Sequence, residues 1–232
     1  MPNFPQSNTI TEHDLWDADE CGRIAATVRA LRKYWIDRNS NFYTLGAGTY
    51  VDDIYAYEGI AAHTNEILER YFYVTPEFQK LHDTMQAALG CTIMVVPKFA
   101  LPGFHIFDQR CNGKPGSFHV DTPYDRLISP PEFISPLTFT IPVEIPVCGA
   151  GLNWWPSDIV PLEQDYAYDE PQSNPLLPAG NYQEYKLGAM YLHDGLFYHQ
   201  IHNPGDMAAN EARITLQGHG LFLKSGGCLV YF

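Results

Sequence analysis

The stretch PLTFTIPVEIPV, residues 136–147, decides the fold class. Leu137, Phe139, Ile141, Val143, Ile145 and Val147 alternate with Thr138, Thr140, Pro142, Glu144 and Pro146. A period of two puts the apolar set on one face of a β-strand, with that face in a core. Pro142 and Pro146 have no N–H to give to a ladder, so this strand is expected at a sheet edge or bent there. Similar runs surround it: CTIMVVPKFALPGFHIF (91–107), GSFHVDTP (116–123), GAMYLHDGLFYHQI (188–201) and ARITLQGHGLFL (212–223). Each is rich in β-branched or aromatic residues and bounded by Gly or Pro.

Upstream the period changes. Ile24, Val28, Leu31 and Trp35 fall three or four apart, which predicts an amphipathic helix within Asp14 to Arg38. In TPEFQKLHDTMQAALG (75–90), Thr75 is the expected N-cap, Pro76 the first helical residue and Gly90 the stop. A further helix is expected from Gly59 to Tyr71, and the Gly- and Tyr-rich run 42–57 reads as loop with short irregular structure. Residues 156–188 are acidic and rich in Pro and Tyr, the composition of a lid or binding loop. The organisation expected is one domain, 1–232, with a mostly helical flank (1–90) on a mainly β core (91–232) that carries the lid-like loop 156–188.

Composition narrows the function. The chain has 232 residues and a formal net charge of −13, from 27 acidic and 14 basic side chains. That balance disfavours nucleic acid, because affinity for phosphate backbones is built from Lys and Arg. No apolar run is long enough for a membrane span, and the first residues lack a signal-peptide pattern, so neither a membrane nor secretion is expected. Five scattered cysteines without a Cys-x-x-Cys pair fit a reducing compartment, and a cytoplasmic location is expected.

The candidate chemistry begins at SFHVDTPY, residues 117–124. In an extended chain His119 and Asp121 point to the same side, and Phe118 and Val120 turn the other way into apolar packing. Imidazole beside carboxylate suits non-haem iron, whose facial triad leaves positions open. A third ligand has to come from another strand, and His193, His199 and His202 all stand downstream.

At HDGLFYHQIHNPGDMAANEARITLQGHG (193–220) the chain resembles the ferrous iron, 2-oxoglutarate-dependent dioxygenase superfamily. That superfamily carries His-x-Asp/Glu on an early strand and a lone His on a late one. The late His commonly follows Asp-Gly and three further residues, as His199 follows Asp194–Gly195 here. An Arg, often as Arg-x-Ser or Arg-x-Thr, comes ten to fifteen residues later; here Arg213–Ile214–Thr215 begins fourteen after His199. Gly149–Ala150–Gly151–Leu152 looks like the Gly-Gly-x-Leu segment between the two halves. The resemblance spans roughly residues 91 to 224. It implies a double-stranded β-helix (jelly-roll, cupin-like) core, and Fe(II), 2-oxoglutarate and O2 as cofactor and cosubstrates. It also implies His119, Asp121 and His199 as catalytic metal ligands.

Arg213 is then expected to grip the distal carboxylate of 2-oxoglutarate, because a buried carboxylate calls for a cation and Arg offers a bidentate fork. Thr215, on the same face, adds a hydroxyl. His199 is preferred to His202, which opens a turn; His193 reads as a supporting or core residue, and His105 and His219 as satisfied core histidines. Halogen-transferring members generally lack the carboxylate that Asp121 supplies, so hydroxylation of a small-molecule substrate, with decarboxylation of 2-oxoglutarate to succinate, is the expected reaction. Tyr124, Arg126, Asn153, Trp154 and Trp155 are candidates for shaping the substrate site. Arg110 and Arg126 are candidates for a substrate carboxylate, although salt-bridge roles suit both. Two other readings stay open: a cupin-type iron dioxygenase that works without 2-oxoglutarate, and a non-catalytic jelly-roll module that binds a ligand.

Overall fold

The computed structural model describes residues 2–38, 42–50, 52–112, 116–127, 131–160, 162, 177–202 and 205–232. Its strands and helices run β1 (Thr11–Asp14), α1 (Ala18–Ala30), β2 (Ile36–Arg38), β3 (Phe42–Leu45), α2 (Ile54–Leu68), α3 (Pro76–Leu89), β4 (Ile93–Met94), β5 (Gly103–Phe107), β6 (Phe133–Glu144), β7 (Gly151–Trp155), β8 (Asn181–Glu184), β9 (Ala189–His193), β10 (Tyr198–His202), β11 (Arg213–Leu223) and β12 (Cys228–Tyr231). Nine strands form one sheet, in the order β1-β9-β6-β11-β5-β3-β2, with β12 and β4 attached beside β11. A second sheet has the order β10-β7-β8.

Strand alternation divides the large sheet into two faces with different tasks. Phe104, Ile106, Leu137, Phe139, Ile141, Met190, Leu192, Ile214 and Leu216 share one buried cluster with Ile24 and Val28 of α1, Leu68 of α2, and Phe78, Leu81 and Met85 of α3. The helices therefore cover the outer face. The inner face carries rows of directly paired, mostly polar residues. One row is His193, Thr138, His219 and Tyr231; the next includes Tyr191, Thr140 and Gln217; a third joins Pro142, Thr215 and His105.

The alternating strand is β6; its burial departs from expectation, and of the two settings expected for its prolines, an edge or a bend, it is not at an edge. Its central residues are buried on both faces, because the threonines turn toward the interior space between the sheets rather than toward water. It also lies in the middle of the sheet, between β9 and β11. Its prolines are tolerated there because β9 pairs only with residues 138–140, and Pro142 sits at a register shift against β11. Pro146 lies beyond the strand end.

The amino-terminal part is less helical than its periodicity implies. Helix α1 starts in a capping box, Asp17 accepting from Glu20 N and Glu20 from Asp17 N, both at 2.8 Å. It stops at Ala30; a single 3-10 turn follows, and residues 36–38 form an edge strand. The reason is Arg38, whose guanidinium forks onto the buried Asp52 carboxylate at 2.6 and 3.0 Å and donates to Thr44 Oγ1. That clamp requires an extended chain at β2. The run read as loop contributes β3, which pairs with β5, and the first turn of α2, the helix expected from Gly59. Thr75 does not cap α3 with its side chain; its hydroxyl donates to Phe72 O at 2.7 Å, whereas Gly90 ends the helix with φ +62° as expected.

Much of the segment read as a lid lies outside the described residues. Of its described part, β8 adds a third strand to the small sheet. No helix among the described residues is long and apolar enough to cross a membrane. The cysteines are free thiols.

Candidate active site

A cavity of about 630 Å³ lies between the two sheets. Its walls include Thr138, Thr140, Gln217 and His219 from the large sheet, and Leu152, His199 and Ile201 from the small one. Segment 117–121 crosses its edge. That segment is not a strand: one bridge ties it to β10, with His119 N donating to His199 O at 3.0 Å and His199 N to His119 O at 2.9 Å. Asp121 N donates to Gly195 O at 3.0 Å, so the backbone at 121 is fixed as well.

These contacts bring His119, Asp121 and His199 together, with one candidate ligand atom from each lying within 4.8 Å of the others. His119 Nε2 is 3.5 Å from Asp121 Oδ1, and His199 Nε2 is 3.4 Å from Asp121 Oδ2. Each imidazole is aimed by its own chain. Nδ1 of His119 meets Ser117 O at 2.9 Å, and Nδ1 of His199 meets Phe197 O at 3.1 Å. A carbonyl only accepts, so each Nδ1 carries a proton and each Nε2 is the ring atom turned to the shared space. Imidazole ligands of metals are commonly tied back in this manner. Burial alone would raise the Asp121 carboxyl, but His199, His119 and His219 outweigh it and hold the group well below its usual range. A carboxylate facing two Nε2 atoms is a donor set that fits a divalent transition metal, which would take the place of any proton those nitrogens carry.

Gly195 explains why the turn before His199 is written Asp-Gly. Its φ is +73°, and a Cβ there would lie 2.8 Å from Asp121 Cβ and 2.9 Å from Thr138 Oγ1. Asp194 accepts from Leu196 N at 2.9 Å and so tightens the same turn. Gly151 is needed for a comparable reason, since a Cβ would lie 2.5 Å from Gln183 O on the neighbouring strand.

Arg213 lines the same cavity and is 5% exposed. Its Nε and Nη1 are buried without a hydrogen-bond partner among the described residues, and the guanidinium lies 5.3 Å from the Tyr185 ring and 5.6 Å from the Phe107 ring. Burial lowers its pKa, with Tyr185 and Tyr182 opposing. A buried cation that faces aromatic rings and, among the described residues, no carboxylate is in an arrangement that an incoming anion would complete. Thr215 is fully buried on the same strand face and is not part of the cavity lining.

The remaining candidates divide. Arg126 lines the cavity, with Nη1 donating to Tyr50 O at 2.9 Å. Tyr124, Asn153, Trp154 and Trp155 do not line it. Tyr124 packs on Phe133, Asn153 faces away from Leu152 and contacts His202 Nδ1 at 3.3 Å, and Trp154 packs on Phe197. Trp155 is buried, with its indole donating to Pro178 O. Arg110 is engaged by Asp37 and Asp108 and lies 3.5 Å from the Tyr43 ring centroid. His202 lines the cavity but stays outside the three-residue cluster, its ring against Tyr182.

His105 and His219, read as satisfied core residues, instead line the cavity, and each keeps one ring nitrogen without a partner among the described residues. His105 Nε2 is hydrogen-bonded to Tyr50 OH, and burial, with Arg213 next, pushes its pKa down to about 3. His193 accepts from Gly195 N at 3.0 Å, and burial, with His199 next, pushes it likewise to about 3. The sequence signal for this wall is the polar alternation Arg213, Thr215, Gln217, His219 on β11 facing Thr138 and Thr140 on β6.

No family model matches the chain, and no curated protein matches its sequence. Solved structures do resemble it. An N-substituted L-amino acid dioxygenase from Burkholderia ambifaria AMMD, in complex with α-ketoglutarate, aligns over 96% of this chain and 86% of its own at TM-score 0.53 and 13% identity. The epimerase SnoN from nogalamycin biosynthesis, in complex with Fe3+, α-ketoglutarate and nogalamycin RO, aligns over 90% and 78% at TM-score 0.52 and 13% identity. At such identities the likeness establishes the fold: mostly β-sheet with few helices, of the kind found in these 2-oxoglutarate-dependent enzymes.

Proposed function

We propose that the protein is a non-haem Fe(II)/2-oxoglutarate-dependent oxygenase that hydroxylates a small molecule. The observation that carries this reading is the buried guanidinium of Arg213, whose Nε and Nη1 have no partner among the described residues, in the cavity that also gathers His119, Asp121 and His199. Two imidazoles and one carboxylate would hold the metal, and Arg213 would hold the distal carboxylate of 2-oxoglutarate. With both bound, the iron centre and O2 would supply the oxidising power, with 2-oxoglutarate decarboxylated to succinate. The interior space between two largely antiparallel sheets is in keeping with a double-stranded β-helix core.

The chain's own work is positional. The backbone exchange between His119 and His199 presets the imidazoles, and Ser117 O and Phe197 O turn their Nε2 atoms toward Asp121 and the position a metal would take. Phe42, Phe107, Leu152, Ile201 and Met207 give the cavity apolar walls for the body of a substrate, and Arg126 stands among the lining residues as a charge for an anionic group. An oxygenase that dispenses with 2-oxoglutarate would leave Arg213 without an anion, which favours the cosubstrate-dependent reading.

Succinate formation by the purified chain supplied with ferrous iron, O2 and 2-oxoglutarate tests the proposal. Succinate is expected from the wild type and not from His199→Ala. Oxidation of a substrate that proceeds equally well without 2-oxoglutarate would overturn it.

A further inference from the structure

We propose that Thr138 and His219 form a positioning relay that fixes the orientation of the Asp121 carboxylate, and with it the affinity of the site for a metal. This rests on the reading of His119, Asp121 and His199 as ligands. Thr138 Oγ1 donates to Asp121 Oδ2 at 2.9 Å and lies 3.2 Å from His219 Nδ1. A carboxylate only accepts, so the single hydroxyl proton of Thr138 is committed to Asp121. His219 must then donate from Nδ1 to Thr138 Oγ1, which selects one imidazole tautomer. The direction of the chain is His219 to Thr138 to Asp121.

The relay is buried throughout: Asp121, Thr138 and His219 are 7, 3 and 2% exposed. Thr138 and His219 are direct partners across β6 and β11, on the large sheet, whereas His199 belongs to the small one. Asp121 is thus held at its backbone by Gly195 and at one oxygen by the opposite wall. The space is made for it, since only a glycine at 195 leaves room beside both Asp121 Cβ and Thr138 Oγ1. A carboxylate tied at Oδ2 cannot swing away from the two imidazoles when the metal site is being filled. Groups that orient a metal ligand in this way typically change metal affinity by about 10- to 100-fold.

The test is calorimetric titration of the metal-stripped full chain with Mn(II). Thr138→Val removes the hydroxyl at nearly constant volume and is expected to weaken Mn(II) by about 10- to 100-fold. Thr138→Ser, which keeps the hydroxyl, is expected to stay within a few-fold of wild type, an outcome that a packing role for the methyl group would not give. His219→Phe is expected to weaken binding less than Thr138→Val, and the double variant to bind no worse than Thr138→Val alone, because His219 acts through the hydroxyl. Should Thr138→Val fail to fold, Thr138→Ala, which also removes the hydroxyl, takes its place in the same cycle, with Thr138→Ser as the control. Unchanged Mn(II) affinity in Thr138→Val, or fully additive losses in the double variant, would overturn the relay alone. A wild-type chain that takes up no Mn(II) would overturn the ligand reading and the relay with it.

Discussion

His119 and His199 exchange backbone hydrogen bonds in both directions, at 3.0 and 2.9 Å, and their rings sit 4.4 Å apart. The separation of the imidazoles is therefore set by a β-bridge and not by a contact between the side chains. Asp121 follows two residues on, where an extended chain returns to the same side. A site organised through main-chain bonds is formed before any ion arrives, so little of the binding energy goes into ordering it.

That organisation depends on Gly195. Gly195→Ala forces a β-carbon onto Asp121 and Thr138 at a residue with φ +73°. The expected cost is about 1–3 kcal/mol of stability, from backbone strain and displaced neighbours. Urea unfolding measures the loss, and metal uptake is expected to weaken with it because Asp121 is the neighbour that must move.

Arg213→Met keeps most of the apolar stem and removes the charge. Affinity for 2-oxoglutarate in the metal-loaded protein is expected to fall about 100-fold, in line with the loss of ~3 kcal/mol of charge-assisted hydrogen bonding. Metal affinity should change by no more than a few-fold. Without ligand the variant is expected to melt no lower than wild type, since a buried, unpaired cation has gone. Calorimetry and thermal unfolding with and without 2-oxoglutarate check both statements.

His105 gives the fold a pH dependence. Burial, then repulsion from Arg213, His219 and Arg38, pushes its pKa from 6.5 to about 3, with Asp121 opposing. The folded state therefore favours the neutral ring. As pH falls below 6.5 the unfolded chain takes up a proton that the folded chain refuses, so stability declines from there toward pH 3 at roughly 1.4 kcal/mol per pH unit from this residue. In His105→Asn that share of the slope should vanish. Urea midpoints taken at about pH 6 and about pH 4.5 on both proteins provide the comparison, within the range where the linkage operates.

The sequence carried the elements of this site better than the roles of its walls. His-x-Asp, Asp-Gly-x-x-x-His and Arg-x-Thr are local spacings, and each has a local physical cause: side chains two apart share a side, and a positive φ next to Asp121 calls for glycine. Tertiary partners were harder to read. Pro142 suggests an edge or a bend, and a register shift against β11 is found there; which of the two applies depends on how far β9 extends, and that is not written in β6. The stripe through Trp35 continued past the end of α1 because the pairing of Arg38 with Asp52 lies outside any helical period. His105 and His219 looked isolated along the chain and meet the site only across strands. Polar residues at every second position of β11, opposite threonines at every second position of β6, were a visible sign of a polar interior face.

The most direct measurement is metal stoichiometry by equilibrium titration of the stripped protein with Mn(II), in wild type and in His199→Ala, with circular dichroism as the control for folding. One ion per wild-type chain, and none in the folded variant, is the expected result. Equal uptake by the two proteins would contradict a metal centre built on His119, Asp121 and His199.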